Sequence, residues 1–174
     1  MIMRKINMLV MLTMLIVFVF IANTVWSAPK PATRSVNDLL TAADVVKISG
    51  LAGAKLTPKN PKIGAGGDLN FATADKNLIL MVQVVPKSQY AGFRQLSFKA
   101  ALKGIGDEAM EGATIPGYPS NQVVFTKGMT CVALTVFGDP NKPGKNVLTI
   151  AQTIELAKII ASRMGNGASW DWGN

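Results

Sequence analysis

The amino-acid sequence predicts an α+β domain in which an antiparallel sheet of about four to six strands carries helices mainly on one face. Three segments of the 174-residue chain support this prediction: apolar hairpins over 69–85 and 122–137, and an amphipathic segment over 148–164. Both hairpins alternate their apolar residues with the period of a strand, whereas the last segment repeats them with the period of a helix.

The N-terminal segment is typical of a secretory signal peptide. Arg4 and Lys5 precede an apolar run over 8–22, and the small residues Val25 and Ser27 suit the positions three and one before a cleavage site. We therefore expect residues 1–27 to be removed during export. The alternative is a retained membrane anchor, since the run is only slightly shorter than a membrane span. No cysteine follows the run closely, which argues against lipid attachment.

The exported part is expected to consist of a linker over 28–35, a single domain over 36–165 and a tail over 166–174. The linker is predicted from its prolines, and order is expected to begin near Val36. Cys131 is the one cysteine of the chain, so no intramolecular disulfide can form. Its position in the middle of a predicted strand favours a small buried apolar residue over a reactive thiol.

A short first helix is predicted to begin after Thr41 and to end at Gly50. Thr41 is the N-cap in this prediction, and Asp44 lies at the third helical position, near the positive end of the helix dipole. A possible short strand over 54–57 follows. The loop that comes next is predicted to end at 64–68, a glycine-rich stretch.

The hairpin over 69–85 and the segment after it form the first half of the predicted domain. Asp75, Lys76 and Asn77 supply the turn, and the second strand is nearly apolar on both faces, which places it inside the sheet. Residues 87–103 are predicted as a helix, which Gly92 weakens by about 1 kcal/mol relative to alanine. A break is expected near Ser97.

The hairpin over 122–137 is the clearest strand pair in the chain, with Lys127 and Gly128 predicted as its tight turn. The apolar residues on one of its faces are Val123, Phe125, Val132, Leu134 and Val136. The other face of its second strand, with Cys131 and Ala133, is not strongly polar either. We therefore expect this strand to be central and covered on both sides.

The helix predicted over 148–164 supplies one of these covers. Thr149 and Gln152 form a capping-box pattern at its start, and Gly165 is a natural stop. The order of hairpin and then helix occurs in both parts of the chain, which suggests two similar ββα halves. The residues of the two halves are not similar enough to establish a duplication.

The charge of the chain favours attraction to an anionic cell-envelope surface over nucleic-acid binding. Two of its 18 basic residues lie in the signal peptide, so 16 remain against 10 acids. The lysines are dispersed over predicted loops and helix faces and have no aromatic residues between them for base stacking. A solvated, soluble surface is the simpler interpretation of this charge.

The chain contains no histidine, which excludes Ser-His-Asp and Cys-His catalysis and imidazole metal sites within it. Gly66, Gly67 and Asp68 have the glycine content of a phosphate-binding loop, but a strand follows them where a helix is needed, so a tight loop is favoured. Asp107 and Glu108 have no recognisable calcium-loop spacing, and a role in turns and caps is favoured. The sequence therefore predicts neither a catalytic residue nor a metal site nor a cofactor.

The tail contains Trp170 and Trp172 within a short, glycine-containing stretch. Their rings either fold back onto the sheet or are offered to a partner or a membrane interface. Together with Gly66, Gly67, Asp68, Asp107 and Glu108, these residues are the candidate ligand-binding residues of the sequence.

Four short motifs resemble exported bacterial envelope and lipoprotein domains of unknown function. They are Leu39-Leu40-Thr41-Ala42, Gly106-Asp107-Glu108-Ala109, Lys127-Gly128, and the stretch from Leu156-Ala157-Lys158 to Arg163-Met164. The resemblance spans about 36–164 and implies an exported α+β module with no assigned activity. The chain departs from the lipoprotein members because it lacks their lipidated cysteine.

These observations predict a non-enzymatic periplasmic or secreted module that binds a protein, glycan or lipid component of the cell envelope. One alternative is a hydrolase that acts on envelope glycans through Asp107, Glu108 or Asp68, because a pair of carboxylates is sufficient for glycoside hydrolysis. The other alternative is a structural subunit anchored in the membrane by a retained leader.

Overall fold

The structure, a computed structural model of the chain, describes residues 34–57, 67–113, 121–139, 141–142, 144–165 and 170–171. Its helices are α1 (Ala42–Ser49), α2 (Tyr90–Ser97) and α3 (Ile150–Arg163). Its strands are β1 (Arg34–Ser35), β2 (Lys55–Thr57), β3 (Gly67–Ala72), β4 (Leu78–Pro86), β5 (Phe98–Leu102), β6 (Glu108–Gly112), β7 (Asn121–Lys127), β8 (Thr130–Val136) and β9 (Trp170–Asp171). The predicted signal peptide lies outside the described residues.

Seven strands form one antiparallel sheet in the order β2-β3-β4-β8-β7-β6-β5. This confirms the predicted α+β class, although the sheet has more strands than the four to six expected. Strand β8 occupies the middle position and is almost wholly buried, as its two apolar faces predicted. The short strands β1 and β9 pair separately and in parallel.

Strands β5 and β6 are the main difference from the sequence prediction. The helix predicted over 87–103 ends at Ser97, and Phe98 is already extended, with φ −62° and ψ 124°. Residues 98–102 then pair with β6 in antiparallel register. Alanine, lysine and leucine in this stretch favour a helix by propensity, but pairing with β6 at the sheet edge overrides that weak preference.

Two local predictions also need correction. Gly67 and Asp68, predicted to close a loop, are the first residues of β3 and pair with Val84 and Gln83 of β4. The turn of the β7–β8 hairpin is one residue later than predicted, because Lys127 pairs with Thr130. The turn therefore consists of Gly128 and Met129, and its first residue has the positive φ of 58° that glycine tolerates.

The predicted ends of α1 and α3 are confirmed because local capping determines them. The Thr41 hydroxyl accepts the Asp44 N–H while the Asp44 carboxylate accepts the Thr41 N–H, which is a complete capping box. Thr149 and Gln152 form the same arrangement before α3. Gly50 ends α1 in the left-handed conformation, at φ 70°.

The helices lie on both faces of the sheet. Helices α1 and α3 pack on the face that carries Val132 and Leu134, whereas Tyr90 and Phe93 of α2 pack against Cys131 and Ala133 on the other face. A two-fold rotation about an axis perpendicular to the sheet would exchange β4 with β8 and would leave each face of the sheet on its own side. Such a rotation would not superimpose α2 on α3, because these helices pack on opposite faces. The two ββα halves therefore share their order of elements but not the positions of their helices.

Candidate functional site

A cavity of about 620 Å³ lies at the end of the sheet where β3 and β8 finish and β4 begins. Its lining residues are Ser49, Leu51, Thr73, Asp75, Asn77, Ile79, Asp139, Asn141, Lys142, Lys145, Asn146 and Val147. We call it the loop-end cavity. Its volume falls within the range of about 300–1,000 Å³ that is typical of small-molecule sites.

The connection between β8 and α3 forms one wall of the loop-end cavity, and Asp139 organises it. The Asp139 Oδ1 accepts the N–H of Asn141 at 2.9 Å, and its Oδ2 lies 3.8 Å from the ammonium of Lys142. Its own N–H donates to the carbonyl of Lys145 at 2.7 Å. This carboxylate therefore stabilises the fold of the wall, as aspartate commonly does in turns.

The turn between β3 and β4 forms the second wall. The Thr73 N–H donates to the Asn77 carbonyl, and the Lys76 N–H donates to the Thr73 carbonyl, both at 3.0 Å. Lys76 has a φ of 63°, which is uncommon for a residue with a side chain. These bonds fix the backbone of Asp75 between them, at the rim of the cavity.

The third wall is the C-terminal end of α1. It is held in place by Gln152, whose side-chain amide donates to the Ile48 carbonyl at 2.9 Å while its oxygen caps α3. The Ser49 hydroxyl accepts the Leu51 N–H at 3.0 Å and shapes the chain as it leaves the helix. The three walls thus come from segments that are distant in the sequence, and the sheet brings them together.

Two lining residues carry a buried polar atom without a hydrogen-bond partner among the described residues. They are the Thr73 hydroxyl and the Asn146 side-chain oxygen; Asn70 and Thr126 hold the other two such atoms in the described part of the chain. Buried polar groups without partners are uncommon in proteins, and ordered water is a frequent partner of such groups. Thr73 and Asn146 both line the loop-end cavity, but these two oxygen atoms are themselves buried behind its surface.

Two charged side chains at the cavity have opposite signs and no ion pair with another described residue. Asp75 and Lys145 are both exposed, and neither side chain makes a hydrogen bond within the described part of the chain. Lys142 differs from them, since it pairs with Asp139. The cavity therefore presents one available carboxylate, one available ammonium and several neutral amides and hydroxyls.

The residues predicted as ligand-binding candidates do not line the loop-end cavity. Gly66 and Trp172 lie outside the described residues. Gly67 and Asp68 lie in β3, and Trp170 of β9 pairs with Arg34.

Asp107 and Glu108 lie at the opposite end of the sheet from the cavity. The Asp107 carboxylate accepts the Gly128 N–H at 2.8 Å and ties the β5–β6 turn to the β7–β8 turn. Glu108 is the first residue of β6 and is exposed. Three strands separate β6 from β3, so the backbones of these two strands, which carry Asp68 and Glu108, are about 19 Å apart across the sheet.

Sequence reasoning missed every residue of the loop-end cavity as a ligand-binding candidate. The signal that could have indicated it is the long polar connection over 138–149, which is rich in lysine, asparagine, glycine and proline. A connection of this length is uncommon between adjacent elements and is often functional. Its partners on the other walls could not be identified without the order of the strands.

The described residues contain no group of three or more acidic or cysteine side chains placed to hold a metal ion. In the part of the chain that the structure describes, no helix has the length and apolar character needed to cross a membrane. No protein-family model, curated protein or solved structure matches the chain.

Proposed function

We propose that this protein is an exported, non-enzymatic module of the cell envelope that binds a small polar envelope component, a glycan or peptide fragment, in the loop-end cavity. The observation that carries the proposal is the cavity itself. It is lined by hydrogen-bonding groups from three segments whose backbones are fixed by hydrogen bonds. A site fixed in this way loses little conformational entropy when a ligand binds.

The chemistry of the lining favours a polar ligand over a lipid. Of the lining residues, only Leu51, Ile79 and Val147 are apolar, and the others carry hydroxyl, amide, carboxylate or ammonium groups. An acyl chain would leave these groups without partners and would remove their water, which costs free energy. Glycans and peptides offer donors and acceptors at short intervals, so they suit such a surface.

The roles of the acidic residues support the proposal that the protein is not an enzyme. Asp44, Asp107 and Asp139 hold helix caps, turns and loops together through their carboxylates. Glu111 and Glu155 each pair with a lysine. With no histidine in the chain, general acid or base catalysis by an imidazole is excluded.

The hydrolase alternative requires two carboxylates about 5–10 Å apart around the scissile bond. Asp68 and Glu108 lie on strands that are separated by three others, and the carboxylate of Asp107 is engaged by Gly128. Replacing Asp107 and Glu108 by asparagine and glutamine tests this alternative directly. A hydrolase would lose turnover of envelope glycans at unchanged stability, whereas a structural role predicts lower stability alone.

The proposal of export is supported by the leader sequence, with Arg4 and Lys5 before the apolar run over 8–22. N-terminal sequencing of protein recovered from cell envelopes separates the exported module from the anchored subunit. A chain that begins near Ala28 supports cleavage, and an intact Met1 supports the anchor.

Binding is tested by titrating the isotope-labelled protein with glycan and peptide fractions of a cell-envelope digest while amide resonances are followed by NMR. We expect shifts centred on the cavity residues, and we expect Asn141→Trp, which fills the cavity, to abolish them. Met129→Trp is the matched control, because Met129 is 84% exposed in the turn at the opposite end of the sheet. Equal shifts in Asn141→Trp and the wild type would refute the proposed site.

A further inference from the structure

The available charges at the loop-end cavity indicate which polar ligand it accepts. Asp75 and Lys145 line the same cavity, carry opposite charges and form no ion pair with each other or with another described residue. We propose that the ligand is a zwitterion, a short peptide whose free amino group meets Asp75 and whose free carboxylate meets Lys145. This inference rests on the proposed function and specifies its ligand.

Asp75 and Lys145 differ from the other two charged residues of the cavity, because those two form an ion pair with each other. Asp139 and Lys142 also line the cavity, but their charges are directed at each other at 3.8 Å, and Asp139 additionally accepts the Asn141 N–H. A charge that already has a partner gains less from a ligand than one that has none. Asp75 and Lys145 are therefore the residues that bind the charged groups of the ligand.

The backbones of both residues are fixed by turns. Lys145 donates its N–H to the Lys142 carbonyl at 3.0 Å and accepts the Asp139 N–H on its own carbonyl. Asp75 lies inside the turn that the Thr73 to Asn77 hydrogen bond closes. The two charges are thus carried on rigid supports on different walls, which suits a ligand with charges at its two ends.

The neutral groups of the cavity suit the middle of such a ligand. Asn77 and Asn141 are exposed and each carry a side-chain amide, which can donate and accept hydrogen bonds in the way a peptide group needs. A neutral glycan would use these amides but would leave Asp75 and Lys145 without partners. The charge pattern therefore favours a peptide over a neutral sugar.

The test measures the affinities of four peptides for the purified protein by isothermal titration calorimetry. Trialanine carries both charges, its amide keeps only the ammonium, N-acetyl-trialanine keeps only the carboxylate, and the doubly blocked peptide carries neither. We expect trialanine to bind most tightly, with a loss of up to about fivefold for each blocked end, which is the upper limit of what an exposed ion pair typically contributes.

Two variants test which residue binds the amino end of the peptide and which binds its carboxyl end. Lys145→Gln should reduce the affinity for trialanine to that for its amide and leave the affinity for the amide unchanged. Asp75→Asn should equalise trialanine and N-acetyl-trialanine. Lys103→Gln is the matched control, since Lys103 is exposed in the β5–β6 turn at the far end of the sheet, and it should change none of the affinities.

The outcomes separate this inference from the proposed function. Equal affinities for all four peptides, or cavity shifts with neutral maltotriose and none with trialanine, would overturn the zwitterion and leave the polar binding site standing. If neither the peptides nor the envelope digest shift the cavity resonances, both proposals fail. An affinity that falls when either end of the peptide is blocked, together with the two variant effects, would support both proposals.

Discussion

Arg163 and Asp44 form a bidentate ion pair, in which Nη1 lies 2.6 Å from Oδ2 and Nη2 lies 2.9 Å from Oδ1. The same carboxylate accepts the N–H of Thr41 and so caps α1. Arg163 also donates to the Leu39 carbonyl at 3.3 Å. One side chain of α3 therefore holds the start of α1 in place, and Asp44 serves as cap and ion-pair partner at once.

Asp44→Asn should destabilise the protein by about 2 kcal/mol, because it removes a charge-assisted bidentate contact and weakens the cap. Urea unfolding followed by circular dichroism measures the change. Asp38→Asn is the matched control: Asp38 is exposed in the preceding turn and should leave the unfolding midpoint unchanged. A similar loss in both variants would mean that the contact with Arg163 contributes nothing specific.

The same contact predicts a loss of stability in acid. The hydrogen bonds from Arg163, followed by those from Thr41, hold the pKa of Asp44 well below its usual range. A lowered folded-state pKa gives stability that is complete above the unfolded value of about 3.9 and is lost as the pH falls below it. The free energy of unfolding should therefore decline from about pH 5 downward, and the gap between the wild type and Asp44→Asn should narrow. A gap that stays constant down to pH 2 would contradict this account.

The β5–β6 turn approaches β7 closely at Gly106. A Cβ at Gly106 would overlap the carbonyl oxygen of Thr126 and lie 2.9 Å from a ring carbon of Phe125. Gly104 also has a positive φ, 76°, but no atom lies within 4 Å of a Cβ built there. Gly104→Ala should cost about 1–2 kcal/mol from backbone strain alone, and Gly106→Ala should cost clearly more. Thermal unfolding of the two variants measures the difference, and equal melting temperatures would show that the close approach is not needed.

Cys131 should be inert to thiol reagents in the folded protein. It is fully buried beneath α2, and burial raises the pKa of its thiol to about 12, so almost no thiolate exists at pH 8. Iodoacetamide should label it only when the chain unfolds, with a rate that rises in urea alongside the unfolded fraction. Rapid labelling of the native protein, followed by mass spectrometry, would contradict the buried position.

The parts of the fold that could be predicted are those that short stretches of sequence determine. Thr41 with Asp44 and Thr149 with Gln152 mark helix starts within three residues, and the two apolar faces of β8 indicate its central position. Strands β5 and β6 depend on each other for pairing, and their sequences resemble a helix and a turn. Local propensity could not identify them.

The candidate site was beyond prediction for a related reason. Thr73, Asp75 and Asn146 become neighbours of one cavity only because β4 pairs with β8. That pairing joins residues about 50 positions apart, and no local pattern specifies it. Sequence analysis therefore found the elements that carry the site and missed the site.

The pairing of β4 with β8 also has a kinetic consequence. Strands β2 to β4 and strands β5 to β8 are each a series of neighbours along the chain, and this single seam joins them into one sheet. Closing so long a loop is entropically slow compared with forming the hairpins. During refolding, we expect ligand recognition to return later than strand content, since neither series of strands supplies all the walls of the cavity by itself.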